Sequence, residues 1–199
     1  MSQILLLQSS LNGTASRTNQ LMERFLQTRR EQGHQDQVVV RDLTALDLPA
    51  LDSPLFHALR GAEPANEAIR QAVALSDRLI AELKAADLLL IGAPMYNLNV
   101  PTPLKNWFDL VARARVTFRY TDTYPMGLEE GVNALVFSSR GGVHQGQATD
   151  AVTPYLQSVL GLMGIAEVEF VYAEGMDLHP HGAEQGMREA HARIAGLGR

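Results

Sequence analysis

Cysteine is missing altogether from the 199 residues. Its absence excludes a disulfide framework, a thiolate nucleophile and a cysteine-type zinc site, so any chemistry falls to other side chains or to a cofactor. Long apolar runs are missing too. Ile4 to Leu7 is too short for a signal or spanning segment and has no basic region ahead of it, which points to a cytoplasmic protein with no membrane partner. No basic stripe with interleaved aromatics is present. With 17 Lys and Arg against 22 Asp and Glu the formal net charge is -5, and nucleic acid is not an expected partner. Repeats, low-complexity tracts and linkers are absent as well. What remains is 46% hydrophobic and 20% charged, an ordinary globular composition. The chain is long enough to bury a full core and is expected to form one domain over residues 1–199.

Four apolar runs alternate with helix-like segments: Ile4 to Leu7, Val38 to Val40, Leu88 to Ile91 and Ala134 to Phe137, with a fifth at Val168 to Tyr172. Such alternation marks a parallel sheet covered on both faces. Leu21, Met22, Phe25 and Leu26 recur at helical spacing and Gly33 supplies a stop; Ile69, Val73, Ser76, Ile80 and Leu83 mark a second face. Thr102 with Pro103, and again Thr153 with Pro154, read as N-cap and first helical position. Gly164 ends the later helix, and a last one is expected over Gly182 to Ala195. Two stretches interrupt the pattern, an excursion from Pro49 to Pro64 and a flap from Arg113 to Gly131. Five strands in this alternation fit half of a dinucleotide-binding fold or a complete flavodoxin-like, doubly wound five-stranded parallel sheet of order 2-1-3-4-5.

In the second arrangement ligands bind beyond the strand ends between strands 1 and 3. The loops that meet there are rich in hydrogen-bonding groups or glycine. Ser9 to Thr18 opens a helix, whose free amides and positive dipole end suit an anion, with hydroxyls from Ser10, Ser16 and Thr18 and a charge from Arg17. Neither Gly-Lys-Ser/Thr nor G-x-G-x-x-G occurs, which argues against an ATPase and a dinucleotide grip. The plainer reading is that Ser16 only caps the helix. In "APMYNLNVPTP", Pro94 and Pro101 stiffen the backbone around Met95, Tyr96, Asn97 and Leu98, beside an apolar wall suited to a flat heteroaromatic ring; a proline-rich turn is the alternative. In "SSRGGVHQGQ", Gly141 and Gly142 permit close approach of a ligand, and Ser139, Arg140 and His144 bring polar tips to the same edge. A glycine turn with a solvated histidine is the alternative there. A ring pocket beside one phosphate site describes FMN, which would also supply redox chemistry to a chain without a nucleophile.

At these residues the chain resembles the FMN-dependent NADH-azoreductase family, flavodoxin-like homodimeric quinone and azo reductases. The resemblance spans essentially the whole chain and rests on "SRTNQL", "GAPMYNLNVPTPLKNWFDLVARARVTFRYT", "SSRGG" and "YLQSVLGLMGI". It implies that Ser10, Ser16, Arg17 and Thr18 contact the phosphate of FMN, that Met95 to Leu98 and Ser139 to Gly142 contact its ring, and that His144 stands near the pyrimidine edge. It further implies a ping-pong reaction in which NADH or NADPH, then a quinone or aromatic azo compound, use one ring face. His144 would stabilise negative charge there. Phe118 and Tyr120 of the flap would reach a substrate, in their own or a neighbouring subunit's site, and the apolar Leu104 to Val111 helix suits a homodimer. Two residues depart from the family pattern near the substrate space: Leu98 stands where an aromatic is common and Tyr124 where glycine is frequent. The competing class is a flavodoxin-type electron carrier, in which the two insertions have no evident use; a nucleotide-binding regulatory module is a third. His34, His57 and His191 read as surface residues, and Trp107 and Phe108 as core or dimer contacts. His179 and His181 form an H-x-H pair with no third ligand, so no metal is expected.

Overall fold

In the computed structural model, which describes residues 1–197, β1 (Gln3–Gln8) leads through α1 (Arg17–Glu31) to β2 (Gln37–Asp42). Next α2 (Ser53–Ala58) and α3 (Glu67–Lys84) cross to β3 (Leu88–Gly92). Then α4 (Thr102–Val111) and a hairpin of β4 (Phe118–Arg119) and β5 (Met126–Gly127) precede β6 (Asn133–Ser139). Last come α5 (Val152–Met163), β7 (Val168–Ala173) and α6 (Gly182–Leu197). Gly198 and Arg199, the end of the domain expected over 1–199, lie outside the described residues.

The sheet is parallel in the order β2-β1-β3-β6-β7, which is the expected 2-1-3-4-5 once the hairpin strands are left out. Alternate side chains of β1 face opposite layers. Ile4 and Leu6 pack with Met22 and Phe25 of α1 and Ile194 of α6, while Leu5 and Leu7 pack with α3, α4 and α5 through residues such as Leu83, Trp107 and Leu156. β2 departs from the expected burial. Val38, Val39 and Val40 are 37%, 38% and 48% exposed, because β2 is the edge strand and the helices cover it only in part.

The Thr-Pro pattern places the start of α4 one residue later, and that of α5 two residues later, than the structure does. α4 begins at Thr102 with Pro101 in the cap position, and α5 begins at Val152. Proline is tolerated throughout a first turn, so it does not fix the register of the start. For α5 the capping carboxylate is that of Asp150, which accepts from the amide of Thr153 at 3.1 Å. Trp107 and Phe108 are buried within the chain's own core, so the apolar face of α4 offers nothing to a partner, contrary to its expected use in a dimer.

The excursion carries α2, capped by Asp52 on the amide of Leu55 at 2.9 Å. The flap is fastened at its base. Thr117 donates its hydroxyl to Val111 O at 2.7 Å, and the amides of Leu128 and Glu129 both donate to Met163 O, at 3.0 and 2.9 Å. Glu129 is buried against this joint. Burial pushes its carboxyl up from the ordinary range, against the pull of Lys84, whose ammonium is 3.6 Å away. Gly127 presses directly on the end of α5, where a Cβ would run into the backbone of Met163 and Gly164. Backbone cannot yield as a flexible side chain can. Gly127→Ala is therefore expected to destabilise the protein by about 1–3 kcal/mol, the usual cost of overpacking, read as a lower urea midpoint. An unchanged midpoint would mean that the hairpin lifts freely from α5.

Candidate functional site

The carboxyl ends of β1 and β3 are joined before either loop begins, by the hydroxyl of Ser9 donating to Gly92 O at 2.6 Å. Ser10 follows, its Oγ 3.2 Å from the phenol oxygen of Tyr96, which also accepts from the amide of Leu11 at 3.1 Å. A side chain of the second loop thus fixes the course of the first. A single tight turn at Gly13–Ala15 then delivers the chain to Ser16, which caps α1 by accepting from the amide of Asn19 at 3.1 Å.

Capping by Ser16 does not close the helix start. The amide of Ser16 goes to Gly13 O and that of Asn19 to the cap, while the amides of Arg17 and Thr18, the first two of the helix, have no intrahelical acceptor. They stand at the positive end of a 15-residue helix. The Arg17 side chain is exposed beside them, reaching Gln20 only at 3.4 Å. Thr18 contributes differently from expectation. Its side chain is buried and its hydroxyl lies 3.1 Å from Ser16 Oγ, so it supports the cap and offers the site its amide.

The second loop continues the sheet pairing past the strand end, with the amides of Ala93 and Met95 donating to Phe137 O and Ser139 O at 2.8 and 2.9 Å. It then turns back sharply: Tyr96 and Asn99 exchange amide-to-carbonyl bonds of 2.9 and 3.0 Å around Asn97 and Leu98. Both central residues are left-handed, with φ of 49° and 65°. Asparagine tolerates that region. Leucine does not, at a cost of about 1–2 kcal/mol, and Leu98 recovers little by burial because it is 45% exposed.

In the third loop the structure separates residues that the sequence groups. Ser139 and the Gly141–Gly142 backbone line the strand end, half-buried. His144 lies across Gly142, where a Cβ would stand 2.8 Å from Nε2, so a side chain at 142 would displace the imidazole. Its Nδ1 is 2.8 Å from Thr149 Oγ1. Arg140, expected to bring a polar tip to the crevice, is corrected by the structure: its side chain is wholly buried beneath the loop. There it pairs with Asp150 and Glu174 at 3.0 and 3.1 Å and donates to Ser138 and Thr153, with its guanidinium over the Tyr172 ring. Burial acts to raise the Asp150 carboxyl, but hydrogen bonds from Arg140 and Thr153 outweigh it and hold the group below its ordinary value. Only the backbone of Arg140 remains at the strand end. Ser9, Thr149 and Glu174 escaped the sequence reading. The Asp150-x-x-Thr153 spacing of a helix cap was the one legible sign of this cluster.

The flap residues lie elsewhere. Phe118 is buried, edge-on to Tyr120 at 5.5 Å between centroids, while Tyr120 is 65% exposed. With Leu51, Phe56, Arg60 and Tyr155 they border a groove of about 300 Å³ that shares no lining residue with the three loops. A cavity of about 530 Å³, bordered by Ser2, Arg29 and Asp87, is at the opposite, amino-terminal end of the sheet.

A family model described as "Flavodoxin-like fold" matches residues 2–197. Over 197 residues the chain is 66% identical to an FMN-dependent NADH:quinone oxidoreductase of Burkholderia lata, covering 99% of each. It is 50% identical over 195 residues to an FMN-dependent NADH:quinone oxidoreductase of Escherichia coli K12, covering 98% of this chain and 97% of that one. Among solved structures, an azoreductase from Bacillus anthracis superposes with a TM-score of 0.87 at 27% identity, over 100% of this chain and 99% of the other. Matches of this extent cover nearly the whole chain: it belongs to the flavodoxin-like FMN-dependent NADH:quinone oxidoreductase family.

Proposed function

We propose that residues 1–199 act as one FMN-binding domain and that the protein uses NADH, with NADPH as a further donor, to reduce quinones and cleave aromatic azo compounds to amines. The observation that carries this reading is the start of α1. Two free amides, a capping serine and an exposed arginine make a donor set for one phosphate monoester. It opens beside Tyr96, which ties that loop to the second one. Strain retained at an exposed leucine supports a ligand-facing role for the 96–99 turn, since such outliers cluster at functional sites.

In this reading Ser10, Ser16, Arg17 and Thr18 hold the phosphate. The 95–98 turn with Ser139, the Arg140 backbone, Gly141 and Gly142 orients the ring, and His144, steadied by Thr149, favours negative charge at its edge. FMN supplies the two-electron chemistry for which this chain has no side chain of its own. One open face serves donor and acceptor in turn, giving a ping-pong order. Leu98 and Tyr124, the latter 80% exposed, border that face and set which acceptors fit. A homodimer would cover the apolar side chains left exposed on the excursion and flap, Leu51, Tyr120, Met126 and Leu128 among them, and place Tyr120 at a neighbouring site.

Four outcomes test this reading. Flavin released by heat and chromatographed is expected to be FMN; steady-state rates with NADH and a quinone are expected to give parallel double-reciprocal lines, and recovery of FAD or intersecting lines would overturn cofactor or order respectively. Ser16→Ala with Arg17→Ala is expected to weaken FMN binding to apoprotein by about 2–4 kcal/mol, the loss of charge-assisted hydrogen bonds partly replaced by water. Unchanged affinity in that titration would place the phosphate elsewhere. Light scattering is expected to give twice the chain mass, and a fully active monomer would remove the shared-site arrangement.

A further inference from the structure

The third loop has little backbone bonding of its own between Gly142 and Asp150, chiefly Gln147 N to His144 O and Asp150 N to Gln147 O. A carboxylate from the end of the neighbouring strand holds it. Glu174 Oε1 accepts from the amides of His144 and Gln145 at 2.8 and 2.9 Å, and from Arg140 Nη1 at 3.1 Å. All three bonds converge on one oxygen.

The charge balance separates the two tasks this carboxylate could have. The side chains of Arg140, Asp150 and Glu174 are 0%, 7% and 12% exposed, so one cation faces two anions almost out of water. Asp150 alone neutralises the guanidinium, at 3.0 Å. A surplus buried carboxylate is costly unless other donors meet it. The donors that meet Glu174 are two consecutive loop amides, the arrangement that forms an anion-holding nest in a backbone. We infer that Glu174 is the positioning residue of the third loop beyond the Gly141–Gly142 wall, which the amides of Asp177 and Gly175 hold at 3.0 and 2.9 Å: it fixes the main chain at His144 and Gln145, and through it the His144 imidazole. That inference rests on the crevice being the FMN site. Thr149 then fixes the imidazole ring, and Arg140 makes the buried carboxylates tolerable.

Substitutions at position 174 separate loop-holding from charge balance. Glu174→Gln keeps an acceptor oxygen and loses the charge; Glu174→Asp keeps the charge and withdraws it by one methylene; Glu174→Ala loses both. Amide hydrogen exchange on the apoprotein is expected to quicken by about tenfold or more at His144 and Gln145 in the Ala and Asp variants, with β6 and β7 unchanged, and to stay within about threefold of wild type in the Gln variant. FMN titration of the same apoproteins should follow that order, with about tenfold to a hundredfold weaker binding for Ala and Asp. The Asp and Gln variants decide the matter even if the Ala variant does not fold. If Gln is as impaired as Ala while Asp matches wild type, Glu174 is a charge partner of Arg140 and the inference fails. Faster exchange in a protein whose wild type does not take up FMN would overturn the FMN reading and leave the loop role standing.

Discussion

The structure depends on one constraint, that β1 is paired on both sides and its two neighbours are reached by crossovers on opposite faces of the sheet. From β1 the chain passes through α1 to β2, and from β2 through α3 to β3 on the other side of β1. Each crossover must be right-handed, so reversing direction in the sheet puts α1 and α3 on opposite layers. The loops leaving β1 and β3 therefore diverge, and the gap between them is a consequence of strand order. Ser9 and Gly92 close its floor. The free amides of Arg17 and Thr18 open on its rim because α1 must start there to reach its layer.

Once strand order provides a gap, the loops around it need support that the sheet cannot give. Two of the three take it from a side chain of another segment and one from sheet backbone. Tyr96 holds the first loop and Glu174 the third, while the second borrows the last sheet bonds of β6 at Phe137 and Ser139. A polar group buried without partners would cost about 1–3 kcal/mol, so these bonds serve stability and shape together. Residues that touch no ligand in this scheme thus decide where ligand-facing backbone stands.

Much of this was legible in sequence, and the failures share a physical cause. Apolar runs bounded by glycine, proline and hydroxyl residues reveal strands and the loops after them, because burial on two faces and loop chemistry leave separate local marks. Arg140 was misplaced because a charge between serine and glycine reads as a ligand contact; the partner that buries it, Glu174, is 34 positions away. Val38 to Val40 reads as a buried strand, since composition does not distinguish a central strand from an edge. The face of α4 raises the same difficulty: apolar spacing signals burial but not whether the neighbour belongs to the same chain. The starts of α4 and α5 shifted by one and two residues because Pro103 and Pro154 fit more than one place in a first turn.

The flap shows how rigidity and freedom are divided. Its base is pinned by Thr117, by two amides on Met163 O and by the fit of Gly127 against α5, and Phe118 is committed to the interior. Beyond that base the chain is open, and Tyr120 and Tyr124 stand 65% and 80% exposed. Leu98 is likewise exposed on a turn whose backbone is fixed by its own paired bonds. At Leu98 the main chain is constrained while the side chain is not, so the side chain can change with small effect on packing. The start of α1 is the reverse, since Ser16 and Thr18 are buried and bonded to each other and to the helix start. The start of α1 is thus built from buried groups with several partners, whereas Leu98, Tyr120 and Tyr124 are exposed groups with few.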